Sequence, residues 1–278
     1  MLLRGVDLET EVDLLGLPDV PRIVLDHPPL VLTVCQVRFN SVLGVADPKI
    51  VAPFQRAIQQ SYPLVNQVQN IDIVAQPGNE AAMKLARPGY QFSDQNDIWR
   101  LVLTQDALAL ETRTYEDFES FLDRLQKALD ALIEHIQPAF GVRLGLRYIN
   151  ELRPDGMVWA SVIRPELLGP IGVPEFIENA TQIAAIQQLS LRYPNNQGIT
   201  IHHGFVPGGT TVRPRQGEEI QNGEFYLLDY DAFREFPASQ GLLMDTETIC
   251  RHVKTYHQMI YRLFRWSVTD EYLAMLRR

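Results

Sequence analysis

Two stretches of this chain, 115–137 and 245–266, carry apolar residues at helical spacing, and each follows a series of β-rich segments. The first places Phe118, Phe121, Leu125, Leu129, Leu132 and Ile136 on one stripe and stops at Pro138. The second does the same with Ile249, Val253, Tyr256, Ile260, Leu263 and Phe264. A helix with one wide apolar stripe must bury it, and the preceding strands supply the surface. The expected fold is therefore α+β: a large curved antiparallel sheet with two long helices packed on one face. The repeated order, strands then helix, raises a distant internal duplication, although no residue-level repeat accompanies it.

Strands are expected at 30–39, 65–75, 81–87, 98–104, 107–115, 141–152, 157–163, 185–193, 199–206 and 224–231. Gln105-Asp106 reads as a tight hairpin, Asn195 to Gly198 as a turn, and Pro207-Gly208-Gly209 as another. Asp47-Pro48 starts a helix that ends before Tyr62-Pro63. Thr114 with Asp117 reads as a capping box for the helix at 115, and Asp245 or Thr246 caps the later one. Along 141–152, Val142, Leu144, Leu146 and Tyr148 face one way, and Arg143, Gly145 and Arg147 the other. Residues 1–29 form an acidic arm, with six acids against Arg4 and Arg22, and 30–278 a single domain.

The chain has 278 residues, 46% hydrophobic and 21% charged, with a net charge of −9. That apolar content excludes disorder, and the negative balance disfavours general nucleic-acid binding. Cys35 and Cys250 each lie in an apolar segment, with neither a disulfide framework nor metal-ligand spacing. No segment has signal-peptide form or the roughly 20 apolar residues of a membrane span, so a cytoplasmic chain without membrane contact is expected.

Four phrases, PPLVLTVCQVRF (28–39), RLGLRYINEL (143–152), FYLLDYDAF (225–233) and YHQMIYRLFRWSVTDEYLAML (256–276), occur in an order and spacing that can be compared as a set. Together they resemble a sporadically distributed family of uncharacterised bacterial proteins of about this length. The most recognisable parts are Leu146 to Asn150, and His257 followed by Phe264 and Thr269. The family's patchy occurrence, like that of genes on mobile elements, implies a role in a defence or toxin–antitoxin module. It implies no activity.

Several constellations bear on chemistry. Arg143 and Arg147 share a strand face and could grip a carboxylate or phosphate; Asn150 falls on the opposite face. Adjacent His202 and His203 point to opposite faces, and His252 and His257 lie about 140° apart around a helix, so neither pair holds a metal. His257 borders the apolar stripe, where a half-buried histidine would bond to the sheet. Asp229 and Asp231 share a face without a third ligand. The candidate ligand-binding residues are Arg143, Arg147, His203 and His257. No phosphate loop, dinucleotide fingerprint or nucleophile elbow is present, so no cofactor, metal or catalytic residue is assigned. Residues 251–278 carry a net charge of +4, which leaves −13 for the rest of the chain. Arg251, Lys254, Arg262 and Arg265 are thus candidates for a partner surface. The leading expectation is a non-enzymatic interaction or regulatory protein with a protein partner. The alternatives are a ligand-binding protein or enzyme with a pocket between sheet and helices, and nucleic-acid binding through the basic last helix. Homodimerisation through a sheet edge or the arm is a further expectation.

Overall fold

A computed structural model describes residues 15–70, 87–153, 156–169, 184–208, 211 and 223–277. Its centre is a nine-stranded sheet in which every named pairing is antiparallel. The strands are β1 (Leu30–Phe39), β2 (Leu64–Asn70), β3 (Arg87–Ser93), β4 (Trp99–Thr104), β5 (Ala107–Thr112), β6 (Gly141–Leu152), β7 (Ala185–Arg192), β8 (Gln197–Val206) and β9 (Phe225–Glu235). Their spatial order is β2-β3-β4-β5-β1-β6-β9-β8-β7. The helices are α1 (Pro48–Ile58), α2 (Phe118–His135), the single turn α3 (Pro165–Leu168), α4 (Thr246–Ser267) and α5 (Asp270–Met275).

The wiring has two similar halves. Each begins with a central strand, β1 or β6, and passes to an outer edge. It then meanders back to that same strand, through β5 or β9, before entering a long helix. The two central strands pair with each other, Cys35 opposite Leu146. Strand alternation turns Cys35, Val37, Leu144, Leu146 and Tyr230 to one face, where they are buried. The stripes of α2 and α4 cover that face; Phe121, Leu125, Leu129, Ile249, Val253 and Ile260 are all at most 1% exposed. Each such side chain contributes about 1.5–3 kcal/mol by leaving water, which is why tertiary packing rather than helix propensity holds these helices in place.

Two local expectations are corrected. Helix α2 starts at Phe118 rather than 115, with Asp117 as its cap accepting from Ser120 N–H at 2.6 Å. Thr114 instead closes a turn through Thr112 Oγ1, so Tyr115 lies on the approach to the helix. Residues 157–163 form a 3₁₀ turn, Trp159–Ser161, with one bridge between Ile163 and Val268. Consecutive Val162 and Ile163 are both fully buried beneath the end of α4, an arrangement that alternation on a half-covered sheet does not give. The strand expected at 81–87 lies outside the described residues except for Arg87, which opens β3, and the turn at Gly208-Gly209 is described only to Gly208.

The described part of the acidic arm, residues 15–29, crosses α4. Tyr261 donates to Pro21 O and accepts from Ile23 N–H, Arg265 donates to Pro21 O, and Arg262 reaches Leu17 O and Asp19. Backbone N–H groups of Asp26 and His27 both reach Leu276 O. Among the described residues no helix is long and apolar enough to cross a membrane.

Candidate functional site

Where the arm passes between the start of α2 and the middle of α4, it roofs a cavity of about 720 Å³. Local rules place its walls. On α4, Lys254, His257, Gln258 and Tyr261 recur at i, i+3, i+4 and i+7, so one helix face lines the space. On α2, Phe118, Leu122 and Gln126 recur at i, i+4 and i+8 and line it likewise. The floor comes from β6, whose alternation sends Tyr148 and Asn150 to the helix side. A register shift in β1 between Leu30 and Leu32 lies beside Asn150. Pro28, Pro29 and Leu30 close that end.

A chain of hydrogen bonds crosses the floor. The Tyr148 hydroxyl lies 2.8 Å from His257 Nδ1 and 3.3 Å from the Tyr115 hydroxyl. The His257 ring stacks flat on Phe118, 3.9 Å between centroids and 4° between planes. Burial is the main reason that the imidazole falls from 6.5 to about 4, with the Arg22 charge adding to it, so His257 is neutral. Burial likewise raises the Tyr115 hydroxyl to about 12 and the Tyr148 hydroxyl well above its ordinary value. Every member of the chain is therefore uncharged near neutral pH. Two proton arrangements satisfy it: Tyr115 to Tyr148 to His257, leaving N–H at Nε2, or the reverse, leaving a lone pair there. Nε2 bonds to no described residue. Asn150 spends its Nδ2 on Leu228 O at 3.1 Å, and its Oδ1 accepts from no described residue.

Charge is confined to the rim. Arg22, Glu116, Glu119, Asp123 and Lys254 are exposed, and Asp117 is occupied as the helix cap. Arg22 pairs with Glu119 at 3.0 Å, and Asp123 with Lys127 at 2.7 Å.

Of the four candidate ligand-binding residues, His257 alone lines this cavity. Arg143 and Arg147 lie on the opposite face of the sheet, as their alternation with Tyr148 requires. Arg147 makes a two-pronged pair with Asp229 at 2.7 and 2.6 Å, and His202 Nδ1 approaches the same carboxylate at 3.3 Å. Burial alone would raise Asp229, but the hydrogen bonds from Arg147 and His202 outweigh it and hold the carboxyl below its ordinary value. Arg143 donates to Asp231 at 2.8 Å and lies over the Phe233 ring. The arginine forks are thus filled by the protein's own acids. His203 is on the helix side but in the second half of the sheet, with Nδ1 2.9 Å from the Tyr226 hydroxyl, which donates to Leu167 O at 2.6 Å.

The candidate partner surface divides in the same way. Arg251 pairs with Glu247, Arg262 and Arg265 hold the arm, and Lys254 is at the cavity rim. Residue spacing alone missed Tyr115, Asn150 and Tyr261 as part of the site. One signal was available for Tyr148: a tyrosine in a buried apolar row needs a partner for its hydroxyl. Among the described residues, no group of three or more His, Cys, Asp or Glu side chains could hold a metal ion.

Compared with known proteins, the chain matches no protein-family model. No curated protein matches it either. The family resemblance therefore rests on its four phrases alone.

Proposed function

We propose that this protein binds a small amphipathic molecule between the sheet, α2, α4 and the N-terminal arm. The observation that carries this reading is the cavity itself: about 720 Å³, walled by apolar side chains, with the Tyr115–Tyr148–His257 chain on its floor. Small-molecule sites have this form, roughly 300–1,000 Å³ of mainly apolar surface with a few convergent polar groups. A floor group with a free ring nitrogen is costly to desolvate and serves best when a ligand completes it. The readings built on a protein partner or nucleic acid have less support, because of the four side chains proposed for them Arg262 and Arg265 already hold the arm and Arg251 pairs with Glu247.

Titration with Nile red, an uncharged apolar dye, tests the proposal. Saturable one-to-one fluorescence enhancement is expected, and it should be lost in Gln258→Trp and in Gln126→Trp. Both glutamines are exposed helix residues at the rim, so a tryptophan there can fill the mouth without entering the core. Enhancement that is absent, or indifferent to both substitutions in folded protein, contradicts the reading.

A further inference from the structure

We infer that the molecule held in this cavity carries an uncharged hydroxyl as its head group and places it on the floor, an inference that rests on the binding role proposed above. Two residues that line the cavity, Asn150 and His257, each have a polar atom without a partner among the described residues. Asn150 Oδ1 is an amide carbonyl oxygen and only accepts, and the Nδ2 bond to Leu228 O fixes which end of the amide it is. His257 Nε2 can donate or accept, according to which way the protons lie along Tyr115, Tyr148 and His257. A hydroxyl is the smallest group that suits either atom, donating to a fixed acceptor or pairing with Nε2 in either state. An ether or ketone, which only accepts, leaves Asn150 Oδ1 unpaired.

Charged heads fare worse, for a different reason. A carboxylate on the floor would meet the Asn150 acceptor and a neutral imidazole, while of the lining cations Arg22 is exposed and already paired with Glu119, and Lys254 is exposed at the rim. An ammonium would find no carboxylate there, since Glu116, Glu119 and Asp123 are also exposed rim residues. Burying either ion without a counter-charge costs several kcal/mol. The flat Phe118–His257 stack and the leucine, isoleucine and proline walls suit an aromatic or branched apolar body attached to that head.

Isothermal titration with 4-butylphenol, 4-butylbenzoate and 4-butylbenzylammonium at about pH 7 isolates the head group, because the three probes share one apolar body. The phenol is expected to bind one-to-one, and each charged probe at least about tenfold more weakly, a difference of about 1.4 kcal/mol. Gln258→Trp and Gln126→Trp should abolish the phenol signal while leaving the unfolding midpoint in place. If either charged probe binds as tightly as the phenol while Nile red still reports the cavity, the hydroxyl inference is overturned and the binding role stands. If Nile red and all three probes fail together, both are overturned.

Discussion

Among the described residues, two histidine–tyrosine hydrogen bonds lie on the helix side of the sheet, one buried and one half-buried, and they end differently. In the second half, His203 Nδ1 meets Tyr226, and Tyr226 donates to the backbone carbonyl of Leu167. A carbonyl only accepts, so the direction is fixed: the imidazole must hold its proton on Nδ1 and donate to the tyrosine. At the boundary of the halves, His257 Nδ1 meets Tyr148, and Tyr148 meets another hydroxyl, that of Tyr115. A hydroxyl donates or accepts, so nothing fixes the direction. The first pair is a clasp that ties α3 to the sheet. The second is a reversible chain that ends at a cavity. The same two residue types serve structure or recognition according to what lies beyond the tyrosine.

The largest expected difference between the pairs is in stability. Tyr226→Phe strands the Leu167 carbonyl and the His203 N–H together, at about 1–3 kcal/mol each. A loss of about 3 kcal/mol in urea unfolding is expected. Tyr148→Phe frees one imidazole nitrogen and the Tyr115 hydroxyl, but both belong to residues that line the cavity, and it should cost about 1 kcal/mol. Equal losses would erase the distinction between clasp and chain.

The pH dependence comes next. His257 is neutral when folded, with its value lowered from 6.5 to about 4, whereas the unfolded chain titrates at the ordinary value. Between those values the unfolded state binds more protons, so stability is fully present above about 6.5 and falls as pH drops toward 4. The expected loss is on the order of 2 kcal/mol, and unfolding curves of His257→Leu should be flatter across this window. An unchanged slope in that variant would assign the effect elsewhere.

The smallest effect concerns the two faces. Asp231→Asn, with its side chain on the face opposite the cavity, weakens a partly exposed ion pair with Arg143, at no more than about 1 kcal/mol. It should leave 4-butylphenol affinity unchanged, and a shift of tenfold would connect the arginine face to the binding site.

The sheet and both long helices were legible because they rest on local periodicity: the stripes of α2 and α4 and the alternation of β6 appear as the spacing requires. The opposite orientations of Arg147 and Tyr148 followed from the same rule, as did those of His202 and His203. Of the cavity, a place between sheet and helices and the His257 contribution were among the expectations from the sequence; the rest of the cavity was not legible. It depends on Tyr115, Asn150 and Tyr261, far apart in sequence, and on where the arm crosses α4. Its Tyr115 contribution turns on α2 starting at Phe118, a boundary decided by which of two candidate caps captures the backbone. The basic last helix was legible as a charge imbalance, but whether it met a partner or the protein's own arm depended on contacts spanning some 240 residues.

The central claim is that proton direction is fixed at His203 and open at His257. Long-range proton–nitrogen NMR correlation of the imidazole rings reads both tautomers in one spectrum, with and without 4-butylphenol. The account predicts a single Nδ1–H form at His203 in both samples, and at His257 a mixture that the phenol draws toward one tautomer. A single His257 tautomer, unmoved by saturating phenol, would contradict it.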